Sequence, residues 1–424
     1  MERSEEKRIW IWNHYATRMF ENQGGRHFYF AKYLIGHGYK PTIFCADTLH
    51  GTDKKIDDGD GLHSSSSIDG IDFVFVKTST YRDNGIGRIR NMFSFYRNVK
   101  RVAKKMIKEN GTPNVILASS VHPLTLVAGQ QTARRYGIPC ICEIRDLWPE
   151  SLVCFGFLRP ESMLTKYLYY RERKIYEQAD SLIFTIKGGS DYIIEKGWDI
   201  GSGGRIDLSK VYNINNGVDL AAFDVNAEEQ SDESYVQYFS GENTNLIYAG
   251  SIRKVNNLEL ILHPVSQLIE EGVRLNFVVV GDGDERQMLA EKYAYLNDQI
   301  HFVGRIHKSH VPSILHKADI CVLHSTLNSL KRFGISQNKL FDYLAAGKPI
   351  FSTIISNYDI IEEYRCGLVT QNQSVESIKD GLRSIIGMKG EELDDMRKAA
   401  RKAAEEYDFQ ILTDKLVRIV EGLL

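Results

Sequence analysis

Short apolar runs alternate along the chain with longer segments in which apolar residues recur at helical spacing. The chain opens with the run RIWIWNHYA, the amphipathic segment FYFAKYLIGHGY and the run KPTIFCAD, and further runs follow at IDFVFVKT, PNVILASS, IPCICEIR, SLIFTIK and KVYNINN. Runs rich in β-branched and aromatic residues predict buried strands, and most of the segments between them predict helices. The alternation therefore predicts a doubly wound α/β domain with a parallel sheet in about the first 215 residues.

The same pattern restarts at Asn245, with NLIYAG, LNFVVVGDGD, QIHFVG, ADICVLHS, KPIFST and CGLVT. A second domain of the same class is expected, and the polar, acidic stretch AFDVNAEEQSDESYVQYFSGENTN predicts a linker or surface segment, with the domain boundary inside Gly217 to Thr244. The expected division is 1–222 and 223–407, with a C-terminal helix in 408–424 that returns to the first domain. Two Rossmann-like halves facing a cleft would bind ligands at the carboxyl ends of their strands.

Composition narrows the function classes. The 424 residues are 43% hydrophobic and 25% charged, with a formal net charge of -2, so no basic excess indicates a nucleic-acid partner. None of the six cysteines forms a C-x-x-C pair, so we expect buried free thiols rather than a zinc or redox site. No apolar leader or membrane-spanning run is found in the sequence, which favours a cytoplasmic location.

A glycine pair in the first domain is a candidate binding loop. Gly24 and Gly25 precede an amphipathic helix in NHYATRMFENQGGRHF, where backbone N–H groups could approach an anion or a sugar. A tight turn is the alternative. Dinucleotide binding is disfavoured because the G-x-G-x-x-G pattern is absent.

Two further loops of the first domain follow predicted strands. EIRDLWPES contains Arg145, Asp146, Trp148 and Glu150, and ASSVHPLTL contains His122. We treat the Arg-Asp pair as a catalytic candidate, and His122, Trp148 and Glu150 as acceptor-side candidates. The alternatives are a structural Arg-Asp ion pair beside a packed tryptophan, and a loop histidine whose hydrogen bonds are satisfied.

The first strand-to-helix loop of the second domain is basic. In IYAGSIRKVNN, Arg253 and Lys254 could neutralise a diphosphate, and a solvated basic turn is the alternative. D-x-D triplets stand at 58–60 and 282–284, but Gly beside Asp is typical of tight turns. No metal site is predicted from them.

The segment GISQNKLFDYLAAGKP combines a loop with a helix. Ser336 is the predicted N-cap, and Gly347 with Pro349 predicts the helix end. Lys339 and Asp342 are expected on one exposed face, either as ligand-binding groups or as an ion pair between positions i and i+3.

The order of these motifs resembles the family 4 retaining glycosyltransferases, which have the GT-B fold of two Rossmann-like domains. The matching pieces span nearly the whole chain: ENQGGRHFYFAKYLIGHGY, IPCICEIRDLWPES, INNGVDLAAF, IYAGSIRKVNNLELIL, FVVVGDGDER, HFVGRIHKSHVPSILHKADICVLHS and GISQNKLFDYLAAGKPI. RDLWPES and NKLFDYLAAGKP further resemble bacterial enzymes of surface polysaccharide assembly, including transferases of amino-deoxy sugars such as N-acetylfucosamine.

The resemblance implies a nucleotide-sugar donor, UDP-linked by expectation, with no further cofactor. In the family, two glutamates eight positions apart bind the donor, and the second holds the ribose hydroxyls; Asp342 matches the second, and Gly334 occupies the first position. The implied donor-binding residues are Gly24, Gly25, Gly250, Arg305, Gly334, Ile335, Ser336, Asn338 and Asp342. The implied catalytic residues are Arg253, Lys254, Lys339, Arg145 and Asp146.

Two more positions depart from the family pattern. Arg145 stands where many relatives have a histidine that contacts the donor sugar, a change that suits a 6-deoxy donor. Asn256 and Asn257 stand near the place of a phosphate-binding lysine, so Arg253 and Lys254 are the nearest substitutes. The family reaction implies attack by the acceptor on the face that the diphosphate leaves, with the departing phosphate taking the proton.

The segment from Tyr81 to Gly111 suggests the acceptor. It is basic and carries interleaved apolar residues, which is typical of a helix on an anionic membrane surface and equally of a solvated helix. A polyprenyl-diphosphate-linked or glycan acceptor is expected, with the enzyme at the inner face of the membrane. Two rival functions are a UDP-N-acetylglucosamine 2-epimerase-like GT-B enzyme and a catalytically silent nucleotide-sugar-binding subunit.

Overall fold

The protein folds into two units of the expected α/β type. A computed structural model describes residues 6–56, 59, 61–82, 85–120, 122–229, 233–239 and 241–424. Unit 1 comprises residues 1–215 and 409–424, and unit 2 comprises residues 216–408. No helix within these described ranges has both the length and the apolarity to cross a bilayer.

Unit 1 is a parallel sheet with one antiparallel edge. Its strands are β1 (Lys7–Trp12), β2 (Tyr39–Ala46), β3 (His63–Ile68), β4 (Ile71–Val76), β5 (Val115–Ser120), β6 (Cys140–Ile144), β7 (Ser181–Phe184) and β8 (Val211–Asn213). They lie in the order β3-β4-β2-β1-β5-β6-β7-β8, and β3 alone of these runs antiparallel to its neighbour. Strand β3 was not predicted, because its sequence HSSSSI is a polar edge without an apolar face.

The helices of unit 1 connect these strands. They are α1 (Thr17–Asn22), α2 (Arg26–Gly36), α3 (Ile86–Asn110), α4 (Pro123–Tyr136), α5 (Glu150–Cys154), α6 (Met163–Gln178) and α7 (Gly189–Glu195), with a 3₁₀ helix at Leu208–Lys210. The other strands of this sheet coincide with the predicted apolar runs, because a parallel sheet covered by helices needs strands that are apolar on both faces.

Unit 2 is built on a second parallel sheet. Its strands are β9 (Thr244–Ala249), β10 (Leu275–Val280), β11 (Ile300–Gly304), β12 (Ile320–Leu323), β13 (Ile350–Ser352) and β14 (Gly367–Val369), in the order β11-β10-β9-β12-β13-β14. Along β9, Leu246 and Tyr248 enter the core on one face, while Ile247 and Ala249 enter the core on the other. Both faces are therefore covered, as strict alternation of side chains along a strand requires.

The helices of unit 2 complete the doubly wound pattern. They are α8 (Leu220–Glu229), α9 (Glu259–Glu270), α10 (Arg286–Lys292), α11 (Val311–His316), α12 (Asn338–Ala345), α13 (Ile360–Tyr364), α14 (Val375–Gly387) and α15 (Glu391–Glu406). Single 3₁₀ turns lie at Glu233–Tyr238, Ala294–Leu296, Lys308–His310 and Ser329–Phe333. The stretch expected as a linker or surface segment, 222–245, is helical in its first part, because Asp219 caps α8 through the backbone N–H of Ala222 and Phe223 is buried.

The last helix, α16 (Phe409–Glu421), belongs to unit 1, which confirms the expected return. The Phe409 ring lies 5.1 Å from the ring of Tyr29 and 5.6 Å from that of Phe30, both on α2. Leu412 and Leu416 are fully buried beneath the same helix. Aromatic packing thus ties the chain end to the first helical layer.

The two sheets share one topological feature. Each has a point where the strand order reverses, between β1 and β5 in unit 1 and between β9 and β12 in unit 2. In open α/β sheets, ligands bind outside the carboxyl ends of the strands at this switch point. The candidate residues are therefore best judged by their distance from these two places.

Candidate functional site

Glycines shape the unit 2 switch point. A Cβ atom on Gly281, whose φ is 138°, would lie 1.8 Å from the carbonyl oxygen of Gly250, so the loops after β10 and β9 touch only because no side chain intervenes. The backbone N–H of Gly250 donates to the carbonyl of Val280 at 2.9 Å. Further along, Asn256 donates from its side-chain amide to the carbonyl oxygen and the hydroxyl of Ser251. The result is a tight backbone platform at the strand ends.

Two cations project from this platform. Arg253 and Lys254 are exposed, and neither side chain forms an ion pair with any residue that the structure describes. The backbone N–H of Lys254 donates to Asp284 at 3.2 Å, and Asp282 accepts from the N–H of Gly283. The second D-x-D triplet thus supports a turn, as predicted, while the cationic heads stay available to an anionic ligand.

His324 connects the loops of this platform by hydrogen bonds, and the sequence analysis did not select it. It is fully buried after β12, with Nδ1 2.6 Å from the Thr353 hydroxyl and Nε2 3.0 Å from the carbonyl oxygen of Asn257. Because a carbonyl only accepts, Nε2 carries the proton. Burial lowers the pKa of His324 to about 4, so the ring is neutral at pH 7. His122 was selected because it is a polar residue at the end of a predicted strand, and the same criterion would have selected His324.

Lys339 bends over the same platform. Its Nζ donates to the carbonyl oxygen of His324 at 3.0 Å and lies 4.0 Å from the ring centre of Tyr248. Burial first, and the charge of Lys331 second, lower the pKa of Lys339 to about 7. The expected exposed face is wrong, since the side chain is half-buried against the sheet edge. A bound anion would favour the charged form of this amine.

Asp342 lies one helical turn further along α12 and is also half-buried. It forms no ion pair with Lys339, and its carboxylate has no hydrogen-bond partner within the described part of the chain. Burial raises the pKa of Asp342, and the charge of Lys308 opposes the rise. A half-buried carboxylate without a partner is a strong acceptor for ligand hydroxyl groups.

The loop before α12 differs from the prediction. Gly334 has a φ of 115° and ends the 3₁₀ turn at Ser329–Phe333, a conformation that residues with a Cβ rarely adopt. Ser336 is not the N-cap, because its hydroxyl accepts from the backbone N–H of Asn216 at 3.0 Å and its carbonyl from the Asn216 amide at 2.7 Å. Gln337 takes the cap position instead.

The remaining donor candidates lie around this edge. Ile335 is buried, with 4% of its surface exposed, while Asn338 opens α12 on the solvent side. Arg305 follows β11 and is exposed. Unit 2 therefore gathers Gly250, Arg253, Lys254, Arg305, Gly334, Lys339 and Asp342 at the carboxyl ends of its strands.

Two buried histidines meet at the unit 1 switch point. His14 follows β1 and His122 follows β5; both are fully buried, and His14 Nδ1 lies 2.6 Å from His122 Nε2. Burial lowers the pKa of His14, and it lowers the pKa of His122 to about 3. The His14 ring also stacks on Phe95 at 4.3 Å. His122 therefore lies inside the unit as half of a neutral histidine pair.

The EIRDLWPES residues are distributed among several partners. Arg145 and Asp146 form no ion pair with each other, and the backbone N–H of Arg145 donates to Ser120. Glu150 is buried and accepts from the Tyr169 hydroxyl and from Lys196 Nζ, both at 2.6 Å. The structural ion pair considered for Arg145 is thus absent, and the carboxylate of Glu150 is held within unit 1.

The glycine loop of unit 1 begins α2. Gly25 is the N-cap with a φ of 105°, and a Cβ on Gly24 would lie 3.0 Å from the Tyr29 hydroxyl oxygen. The next residue, Arg26, pairs with buried Glu143 at 2.8 Å and also donates to the carbonyl oxygens that follow β8. This buried pair fastens the glycine loop to the end of the sheet.

No cluster of three metal-ligating side chains occurs in the ranges that the structure describes. Asp58 and Asp60, the outer residues of the first D-x-D triplet, lie outside those ranges. The six cysteines are free thiols, and all but Cys154 are buried.

Comparison with known proteins identifies the class. Residues 231–403 match the family model described as glycosyl transferases group 1, a range that includes the unit 2 site. No curated protein sequence matches the chain. The matched range contains no residue of unit 1. The assignment to a class of protein therefore depends on unit 2, which carries the platform and α12.

Solved structures extend the likeness to the whole chain. A glycosyltransferase from Rickettsia africae is 15% identical, with 99% of each chain covered and a TM-score of 0.66. Anabaena HepE in complex with UDP is 11% identical, with 98% of this chain and 100% of that chain covered and a TM-score of 0.67. WaaG, a glycosyltransferase involved in lipopolysaccharide biosynthesis, is 16% identical, with 98% of this chain and 100% of that chain covered and a TM-score of 0.65. The GT-B fold is confirmed, and with the domain match it defines an enzyme of the glycosyltransferase class.

Proposed function

We propose that the protein is a retaining glycosyltransferase that moves a sugar from a UDP-linked donor to a lipid-linked or glycan acceptor in bacterial surface polysaccharide assembly. The observation that carries the proposal is the half-buried carboxylate of Asp342, which has no hydrogen-bond partner among the described residues and lies one turn along α12 from Lys339, in the unit whose strand ends also carry Arg253 and Lys254. A nucleoside diphosphate presents both matching groups, vicinal hydroxyls for the carboxylate and phosphates for the cations.

Donor binding divides among three parts of the platform. Asp342 accepts from the ribose hydroxyls, and Arg253, Lys254 and Lys339 neutralise the diphosphate. The backbone near Gly334 replaces the carboxylate that relatives place at the sugar, since a φ of 115° is a conformation that residues with a side chain rarely adopt. HepE was crystallised with UDP and with UDP-glucose, which supports a UDP-linked donor here.

The reaction needs charge stabilisation more than a protein base. The acceptor hydroxyl attacks on the face from which the diphosphate leaves, the bond from the anomeric carbon to the phosphate oxygen breaks, and that oxygen takes the hydroxyl proton. A charge-assisted hydrogen bond to the leaving group contributes about 1.5–3 kcal/mol. Fixed cations aimed at developing charge are therefore the main catalytic contribution of the protein.

Sugar choice and location are further parts of the proposal. Arg145 in place of a histidine suits a 6-deoxy or amino-deoxy donor, because a bulky cation competes for the space of a C6 hydroxyl. The basic face of α3 suits an anionic inner membrane surface; its cations are Arg88, Arg90, Arg97, Lys100, Arg101, Lys104, Lys105 and Lys108. Vesicles rich in anionic lipid should bind the protein at low salt, and absence of binding would contradict this location.

A donor screen tests the function directly. Thermal shift or NMR titration with UDP-, GDP- and dTDP-sugars should single out the UDP series, and equal or better use of a 6-hydroxy sugar would contradict the deoxy preference. Incubation with donor alone separates the rivals, since an epimerised nucleotide sugar would identify a 2-epimerase. Donor binding without transfer to any acceptor would identify a silent binding subunit.

A further inference from the structure

An apolar groove opens on the surface of unit 1 between α3, α4 and α6. Its volume is about 520 Å³, inside the range of about 300–1,000 Å³ typical of small-molecule sites. The groove is lined chiefly by apolar and aromatic side chains, including Met92, Phe93, Leu124, Trp148, Tyr167 and Leu168. Such a lining is suited to a hydrocarbon ligand.

These side chains are open to solvent. Phe93 is 55% exposed and Tyr167 is 53% exposed, and the other four are half-buried. Exposed apolar residues also concentrate nearby, on α3 at Ile86 and Ile89 and on the segment that enters α6. A soluble protein seldom exposes contiguous apolar surface of this kind unless something binds there.

The polar groups at the floor of the groove have partners within the protein. Glu172 is the acid in its lining, and it is buried, with the hydroxyls of Tyr176 and Tyr192 donating to it at 2.7 and 2.8 Å. Burial raises the pKa of Glu172 to about 8, so the carboxyl is largely uncharged at pH 7. The polar atoms of the floor therefore bond to one another.

The mouth of the groove carries positive charge. Trp148 and Pro123, which line it, follow the carboxyl ends of β6 and β5, the edge at which acceptor chemistry is expected. Arg145 and Arg88 do not line the groove, but both act on the carboxyl of Asp146, two residues before Trp148, so two cations face one acid there. Exposed Arg171 adds a further cation at the rim. An apolar channel ending among cations matches an amphiphile with an anionic head.

We propose that this groove holds the polyprenyl chain of a lipid-linked acceptor, with its diphosphate at the cationic mouth. The inference rests on the proposed transferase function and specifies its acceptor side. A concave channel accommodates a single chain, whereas contact with a bilayer would use protruding residues. Met163 and Leu164 are such residues, at 79% and 57% exposed, and neither lines the groove.

The test uses the full chain and geranylgeranyl diphosphate, below its micellar concentration, as the probe. The groove variant carries Leu124→Gln and Leu168→Gln, and the matched control carries Met163→Gln and Leu164→Gln. Calorimetric titration should show the groove variant binding the probe at least about tenfold more weakly, with the control within about twofold of wild type. Leu168→Trp, which fills the channel without adding polarity, should give the same loss if the double variant proves unstable.

Two comparators make the result decisive. Inorganic diphosphate should bind wild type at least about tenfold more weakly than the prenyl probe, since it lacks the chain. Equal affinities for the two, or a loss confined to the control pair, would overturn the proposal, and the latter would assign the apolar surface to bilayer contact. UDP titration of the same proteins tests the donor site separately. Absence of UDP binding would contradict the transferase function, whereas absence of binding of the prenyl probe would contradict only the groove proposal.

Discussion

The two switch points occupy equivalent places in two sheets whose central strands follow the same order, yet they carry opposite chemistry. In unit 1 the strands β1 and β5 end at two buried, neutral histidines that bond to each other. In unit 2 the strands β9 and β12 end at a glycine platform with exposed cations, and the following helix α12 carries a half-buried carboxylate that has no hydrogen-bond partner in the described part of the chain. The shared topology supplies a location, and the side chains decide what can bind there.

The difference also shows how one residue type changes its role with its surroundings. In unit 2, His324 holds the loops and its carbonyl accepts from Lys339, while Arg253 and Lys254 are exposed. In unit 1, His122 forms its hydrogen bond with buried His14. Unit 1 offers a ligand its apolar groove rather than its switch point. Under the two proposals above, the donor binds the charged strand ends of unit 2, and the acceptor binds the apolar groove of unit 1.

The largest effect on turnover is expected from the platform cations. Combined Arg253→Ala and Lys254→Ala changes should lower kcat/KM by about 100-fold or more, because each removes about 1.5–3 kcal/mol of charge stabilisation. The melting temperature should be unchanged, since both side chains are exposed. Arg274→Ala, an exposed cation before the amino end of β10, is the control. Near-normal turnover in the double variant would remove the cations from the mechanism.

A smaller loss is expected from the carboxylate. Asp342→Asn should weaken UDP binding by about tenfold while leaving the fold intact, because a neutral amide is a poorer acceptor for ribose hydroxyls. Calorimetric titration measures the change. Asp298→Asn, an exposed acid before β11, should bind UDP normally. Unchanged affinity in Asp342→Asn would make Asp342 a structural residue.

A dependence on pH is expected from Lys339. Burial lowers its pKa to about 7, so the free protein loses this cation as pH rises through neutrality. The ratio of UDP affinities, wild type over Lys339→Ala, should therefore fall several-fold from about pH 6 to about pH 8.5. Taking the ratio cancels the titration of UDP itself, and His324 stays neutral across this range. A ratio that is flat with pH would show that Lys339 does not contact the diphosphate.

The smallest effect on nucleotide binding is expected from the unit 1 histidines. His122→Phe should leave UDP affinity unchanged while lowering the free energy of unfolding by about 1–3 kcal/mol, because Nδ1 of His14 loses its buried partner. Denaturant unfolding measures the loss. His263→Phe, at an exposed position of α9, serves as the control. A large loss of UDP affinity in His122→Phe would end the contrast between the two switch points.

Most of the fold follows from local pattern. Thirteen of the fourteen described strands coincide with predicted apolar runs, and the exception, β3, is a polar edge strand that pairs with β4 alone. The helix α8 was missed because a few buried contacts, such as Phe223, outweigh a weak pattern. Periodicity reports burial, so elements with little burial escape it.

The site was predictable in place but not in detail. Position after a strand, together with residue type, located Arg253, Lys254 and Asp342. It did not show that Lys339 bonds to the carbonyl of His324 rather than to Asp342, or that Ser336 bonds to Asn216 instead of capping α12. Both partners are distant in sequence, so spacing along the chain contains no information about them.

The sequence by itself determined the alternation of strands and helices, the two domains and the loops that hold charged residues, because apolar periodicity is a local property. Only the tertiary structure decided which strand ends meet, that the unit 1 histidines are buried together, and that the carboxylate of Asp342 has no hydrogen-bond partner among the described residues. Those outcomes depend on strand order and on side-chain direction. Both arise from packing between segments that are far apart in the chain.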